Sequence, residues 1–501
     1  MAGAVRYATA LVLISLILAG AAAAQTNASR HPTWWAKYRY LLKQASKTAP
    51  ATTESIAAGD NVDLSNECGP QSEAFITYDP LQATLAAGSN EIFRAPMRGY
   101  FSSDGGGTWG GVDLPLPPPL SGTHATRFGS DPSLAVDSRG NVFYSYIVVF
   151  FGNGKGVDGT ELAVARSTDG GQTYPAANAS YFSFDTGSSH FNDKPLMAAD
   201  SNPASPFRDN VYVAWDAATG GSSSGGIRVA RSIDHGVMFT VTRVDDSKGP
   251  GQGIGAIPFV GPNGEVYVAW NDFHANVIAF NRSFDGGVTW DPTRVVAPKT
   301  AAYTAAVPAE SFRGALAYPA CDADRSPGPH RGRLYCAWMD LTPAGAADIF
   351  FAFSDDKGAS WSSPAPVADQ LSFAVDRFNQ WLSVDPVTGE INVSFYDTRN
   401  DTTGAGFMTD VYFTQSADGG SSWLSPNVRV TTESSNEHDC NGLFPCPGID
   451  YLNQYGDYEG LVSYGGVSHP IWTDSRRQLE ASTGCRTDLA MEEVVSATVH
   501  Y

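Results

Sequence analysis

The chain has 501 residues, of which 42% are apolar and only 17% charged. This excludes a disordered protein, because disorder goes with low hydrophobicity and high charge. The formal net charge of -20 repels phosphate backbones and argues against a nucleic-acid partner, while 51 Gly, 31 Pro and 12% aromatics favour short strands joined by tight turns.

In chain order, residues 1–24 read as a secretory signal peptide. Arg6 supplies the positive region, Leu11 to Leu18 the short apolar region, and Ala22-Ala23-Ala24 before Gln25 a small-residue cleavage site. No run is long and apolar enough for a membrane span, so the expected destination is extracellular. Residues 25–67 follow as an arm. Trp34 to Lys47 has helical spacing without an acid, and Arg30, Lys37, Arg39, Lys43 and Lys47 make it a basic island. Docking on the acidic remainder, removal as a propeptide, and a free arm are all open to it.

From residue 68 to residue 501 the sequence repeats itself. Ser-x-Asp-x-Gly-x-x-aromatic runs from Ser102 to Trp109 and returns at Ser167, Ser232 (a degenerate copy), Ser283, Ser354 and Ser416. Its aspartates are Asp104, Asp169, Asp234, Asp285, Asp356 and Asp418. The chemistry is that of a stapled turn: Gly permits positive φ, and Asp and Ser bond the local backbone. These residues are expected to be structural. Two alternating strands precede each copy, as in Ser133 to Asp137 and Val142 to Tyr146. A seventh unit without the pattern follows from Tyr458 to Val494. Seven four-stranded units with a period of roughly 60 residues predict an all-β propeller, with six blades as the alternative.

The layout also constrains the six cysteines, whose number suits an oxidising compartment. Cys321 and Cys336 flank the turn of one hairpin. Cys440 and Cys446 close a small loop, and Cys68 and Cys485 meet where the ring closes. Asparagine-linked glycosylation patterns begin at Asn27, Asn178, Asn281, Asn392 and Asn400.

In a propeller the starts of the inner strands and the ends of the second strands share one face, opposite the Ser-x-Asp turns. Inner strands begin near Asp131, Asp193, Asp376 and Asp457. Second strands end in an aromatic-plus-acid element: Trp215-Asp216, Trp270 with Asp272, Trp338 with Asp340, Tyr396-Asp397, and Trp472 with Asp474. These aspartates either cap turns and keep blades in register, or line a funnel that binds sugar hydroxyls beside aromatic rings. Crowding would raise their pKa values and supply a general acid. The funnel is compatible with Ca²⁺, though no cofactor is required. Arg377, Arg399, Arg476 and Arg477 lie on the same face and would either grip a carboxylate or pair with nearby aspartates. The expected partner is a carbohydrate or glycoprotein, and the expected state a monomer.

The six Ser-x-Asp turns, known as Asp boxes, resemble those of the sialidase superfamily. So do Asp131-Pro132-Ser133-Leu134-Ala135-Val136-Asp137 and Tyr455-Gly456-Asp457-Tyr458-Glu459-Gly460-Leu461, which look like segments of secreted sialidase-like proteins. The resemblance covers Glu73 to Val494. It implies a propeller, an exo-acting sialidase or related glycosidase, three arginines on a substrate carboxylate, a Tyr nucleophile with Glu, and an Asp acid. Residue by residue, this points to Tyr455 with Glu459 and to Asp131 as the acid. A non-catalytic binding module and a polysaccharide lyase are the rival readings. The family's Arg-Ile-Pro signature has only Phe93-Arg94-Ala95-Pro96 here, in the wrong place relative to the first box. Seven units also depart from the family's usual six blades.

Overall fold

The computed structural model describes residues 61–64, 71–91, 97–118, 124–152, 157–186, 191–220, 223–246, 252–310, 314–369, 375–437, 455–476 and 492–501. Seven antiparallel sheets follow one another along the chain, each built around four strands that pair in order from the inside outward. The inner strands are Gln71–Asp79, His124–Val136, Asp193–Ala199, Gly253–Val260, Pro319–Ala323, Arg377–Val384 and Gly460–Tyr464. Each touches the next, and the seventh touches the first. The protein is a seven-bladed β-propeller.

Blade 7 draws its strands from both ends of the chain. Its inner strand pairs with Val467–Asp474, which pairs with Glu493–Ser496, which in turn pairs with Val62–Asp63. The propeller therefore begins at residue 62, inside the stretch assigned from sequence to the arm. Asn61 reinforces the joint: its amide donates to the Val430 carbonyl, and its oxygen accepts from Thr432 and Arg476.

All six Ser-x-Asp turns link the third and fourth strands of blades 1 to 6. In blade 1, Asp104 Oδ1 accepts from Ser102 Oγ (2.8 Å) and Thr108 N (2.9 Å), and Oδ2 from Thr108 Oγ1 (2.7 Å). These bonds, the Thr108 hydroxyl foremost, hold the Asp104 carboxyl down at about 2. In the degenerate blade-3 turn, Asp234 keeps the Ser232 bond and two backbone bonds, but Met238 stands where blade 1 has Thr108. Turn aromatics pack on the preceding blade, Trp361 against Phe280 and Trp423 against Phe351.

Cys321 and Cys336 face each other across the first two strands of blade 5 and are disulfide-bonded. Cys68, Cys440, Cys446 and Cys485 lie outside the described residues, as do the signal segment and Trp34 to Lys47. Two glycosylation patterns are corrected by burial. Asn281 and Asn392 are fully buried strand residues, and the Asn281 amide donates to the Val244 carbonyl, so neither can carry a glycan in the folded protein. No helix of the described residues is long and apolar enough to cross a membrane.

Candidate functional site

Five inner strands carry the same irregularity, near the starting end in four and midway along His124–Val136 in blade 2. Pairing with the second strand slips between Ser72 and Phe75, Ser130 and Ser133, Asp193 and Leu196, Ile254 and Ile257, and Phe378 and Trp381. At each slip one residue takes a left-handed backbone: Glu73 (φ 58), Asp131 (φ 58), Lys194 (φ 51), Gly255 (φ 66) and Asn379 (φ 46). Only one is glycine. The conformation costs the others about 1 kcal/mol or more each, and at these four positions it lies inside a strand rather than in a turn.

Three of these residues meet in a buried cluster. Glu73 and Asp131 share a hydrogen bond between carboxyls, and Asp131 shares another with Asp193. Such contacts need a proton between the oxygens. Asp131 also accepts from Ser130 Oγ (2.6 Å) and from the Lys194 amide (3.1 Å). Glu73 accepts from the Asp457 amide (3.2 Å) and from Asn90. Lys194 Nζ lies 3.3 Å from Asp457 Oδ2, 4.5 Å from the centre of the Tyr318 ring and 4.1 Å from that of Tyr458. Burial, reinforced by Asp193, pushes Asp131 up to about 8. Burial, with Asp131 and Asp457, pushes Glu73 well above its ordinary value.

Glu459 belongs beside this cluster, within electrostatic reach of Glu73. Its Oε1 lies 2.8 Å from the hydroxyl of Tyr396. The tyrosine–glutamate pair of the site is therefore Tyr396 with Glu459. Tyr455, expected from sequence to be the partner, packs at a tilt against Tyr396 with ring centres 4.5 Å apart and takes its own hydrogen bond from Thr409 (2.5 Å). Burial and the Glu459 carboxyl raise the Tyr396 hydroxyl well above its ordinary value.

The arginines are occupied. Arg377 is fully buried, with Nε 2.8 Å from Asp397 Oδ2 and NH1 3.2 Å from Asp348 Oδ1. Arg399 meets the same Asp397 oxygen at 2.7 Å, Asp369 at 2.9 Å, and the face of Tyr412 at 4.0 Å. Arg476 bonds Asp474 (3.1 Å), Thr432 and Asn61. It shares no acceptor with the other two. Arg94 and Arg477 lie outside the described residues. Of the two outcomes open to this group, the described members take the aspartate-paired one.

The aromatic-plus-acid elements do not line a funnel. Trp215, Trp270, Trp338 and Trp472 are among the largest fully buried side chains, so none presents a face to a sugar. Trp215 donates to Asn192 (3.2 Å) and Trp472 to Asp474 (3.0 Å). Asp272 caps the turn through His274 N and Ala275 N, and Asp340 accepts from Thr300 N and Ala301 N. Asp216 is buried opposite Asp193 on the neighbouring strand. Among the described residues no group of three or more His, Cys, Asp and Glu is arranged to hold a metal ion.

Similar folds occur among solved structures. A microbial sialidase, Hadza Hz136, is matched at 14% identity and a TM-score of 0.43, over 70% of this chain and 64% of that one. The NanB sialidase of Streptococcus pneumoniae is matched at 10% identity and a TM-score of 0.46, over 72% and 70%. An ulvan lyase of polysaccharide lyase family PL25, bound to -[GlcA(1-4)Rha3S]-, is matched at 12% identity and a TM-score of 0.39, over 71% and 81%. No family model matches the sequence, and no curated protein matches it. Identities this low concern fold alone.

Proposed function

We propose that this is an extracellular carbohydrate-active propeller working at the starting ends of its inner strands, with Asp131 as the proton-donating acid. The observation that carries this reading is a buried carboxyl crowded by Glu73 and Asp193 on a residue held in a left-handed conformation, where burial pushes its pKa up to about 8. A general acid must hold its proton at working pH, and few surroundings other than a crowded, dry carboxylate cluster achieve that for Asp. The polar atoms around it suit a polyol. Among the described residues the buried Asn379 Oδ1 has no donor, and Lys194 Nζ has only the Asp457 carboxylate at 3.3 Å. A sugar hydroxyl is donor and acceptor at once.

In glycosidic cleavage the Asp131 proton passes to the departing oxygen as the carbon–oxygen bond breaks. Water supplies the hydroxyl for the sugar carbon, and its remaining proton restores the acid. A sialidase-type step has less support. It needs free guanidinium groups, and Arg377, Arg399 and Arg476 are already paired. It also needs an activated tyrosine, whereas the Tyr396 hydroxyl is shifted away from ionisation.

The deciding experiment is a panel of fluorogenic glycosides, sialosides among them, run beside a glycan array with the full chain and with Asp131→Asn. Turnover lost in Asp131→Asn supports the enzyme. Saturable glycan binding without turnover makes it a binding module. Neither turnover nor binding overturns the carbohydrate reading.

A further inference from the structure

The charge around the cluster bears on which sugars it takes. Four carboxyl groups, on Glu73, Asp131, Asp193 and Asp457, meet one ammonium, that of Lys194. They come from blades 1, 2, 3 and 7. Glu459 adds a fifth carboxyl within reach of Glu73, and Tyr318 and Tyr458 are the neutral titratable groups that face Lys194. The guanidinium groups of Arg377, Arg399 and Arg476 are held by other aspartates.

A second observation is independent of the acid count. Asn379 Oδ1 is a buried acceptor without a donor among the described residues, on a residue only 5% exposed. Asn379 stands at the slip position of blade 6, and its amide nitrogen donates to the Gly456 carbonyl, next to Asp457. Buried acceptors without donors are costly, and a ligand rich in N–H groups relieves them. Lys194 itself shows how an ammonium is received here, against two tyrosine faces and a carboxylate.

Resting on the carbohydrate reading above, we propose that the cluster takes a sugar bearing a free, protonated amine and rejects sugars bearing a carboxylate. The ammonium meets the donorless Asn379 oxygen and carboxyls in excess of cations. A sialic acid or uronate would bring one more anion to a buried site whose single cation is already paired. The carboxyl–carboxyl contacts hold protons in the free protein, so an arriving cation displaces one, and binding releases a proton to the buffer.

Titration calorimetry of the full chain at pH 7 tests this with a glucosamine trisaccharide, its N-acetylated counterpart and sialyllactose, in two buffers of different protonation heat. The free-amine sugar is expected to bind at least tenfold tighter than the N-acetylated one. Its heat should differ between buffers in the sense of proton release, and sialyllactose should not bind. Asp131→Asn should shrink the preference to about threefold or less while the melting transition persists. Glu73→Gln is the second variant should the first not fold. Sialyllactose binding as tightly as the free-amine sugar overturns the proposal. Equal affinity for the amine and N-acetyl sugars overturns the charge selection but leaves the carbohydrate reading standing. No binding by any of the three, with a blank glycan array, removes both.

Discussion

Asp131 is the residue with the most to lose when it ionises. Its carboxyl titrates at about 8 in the folded chain and near 3.9 when unfolded. Between those values the folded state holds a proton that the unfolded state has released, so stability falls as pH rises through this window and levels above it. Urea melts from pH 4 to pH 9 should show that decline, and Asp131→Asn, which has no proton to lose, should flatten it. A stability that rises with pH across the window would remove the assigned proton. Arg377 presents the opposite case, a cation between Asp348 and Asp397 with no exposure. Arg377→Met leaves two carboxylates without their shared partner, and a loss of about 3–5 kcal/mol is expected in the same melts. At this scale the sequence was partly legible. Asp131, Asp193 and Asp457 were read as marking the starts of inner strands; the structure places Asp193 and Asp457 there, but Asp131 lies midway along His124–Val136. Glu73 and Lys194 went unread because alternation reverses across a bulge, so a side chain assigned to one face turns to the other. The tryptophans stayed ambiguous for a related reason: a strand-end aromatic looks the same in sequence whether it faces a channel or the next blade.

Among the elements, the Ser-x-Asp turn repeats with one built-in control. Asp285 accepts two backbone bonds, the Ser283 hydroxyl and the Thr289 hydroxyl, whereas Asp234 lacks the last of these. Asp285→Ala should therefore cost more than Asp234→Ala. The converse substitution, Met238→Thr, replaces a side chain that is 72% exposed with one able to reach Asp234 Oδ2, and should gain about 0.5–1 kcal/mol. Thermal melts of the three variants check the order, and no gain from Met238→Thr would show that the fourth bond adds nothing. These turns, and the strand pairs before them, were legible because they repeat. The Cys321–Cys336 bridge was legible because both residues flank one hairpin turn. The Tyr396–Glu459 pair was not, since its members sit on different blades and no local pattern couples them.

For the whole molecule, the blade count was legible from self-similarity, but the manner of closure was not. Val62–Asp63 is too short to signal a strand, and its partner strand Glu493–Ser496 stands at the far end of the sequence. Removing residues up to Asp63 deletes that outer strand and the Asn61 bonds to Val430, Thr432 and Arg476. Such a chain should melt several degrees lower than the full one, with blade 7 the first to lose amide protection. An unchanged melting temperature would mean that the outer strand contributes nothing to closure.

The shared composition of blade 7 also sets an order of events in time. Blades 1 to 6 are each complete within a continuous stretch of chain and can form as soon as that stretch exists. Blade 7 must wait, because one of its strands is made first and the other three last. The contact that completes the ring spans nearly the whole described sequence, which makes it the slowest to find and the most expensive in loop entropy. During synthesis an N-terminal strand therefore stands unpaired, with its edge exposed, until the final residues emerge. A refolding time course followed by amide exchange should show the amide of Leu64, which bonds the Val494 carbonyl, gaining protection after those of the hairpins in blades 2 to 5.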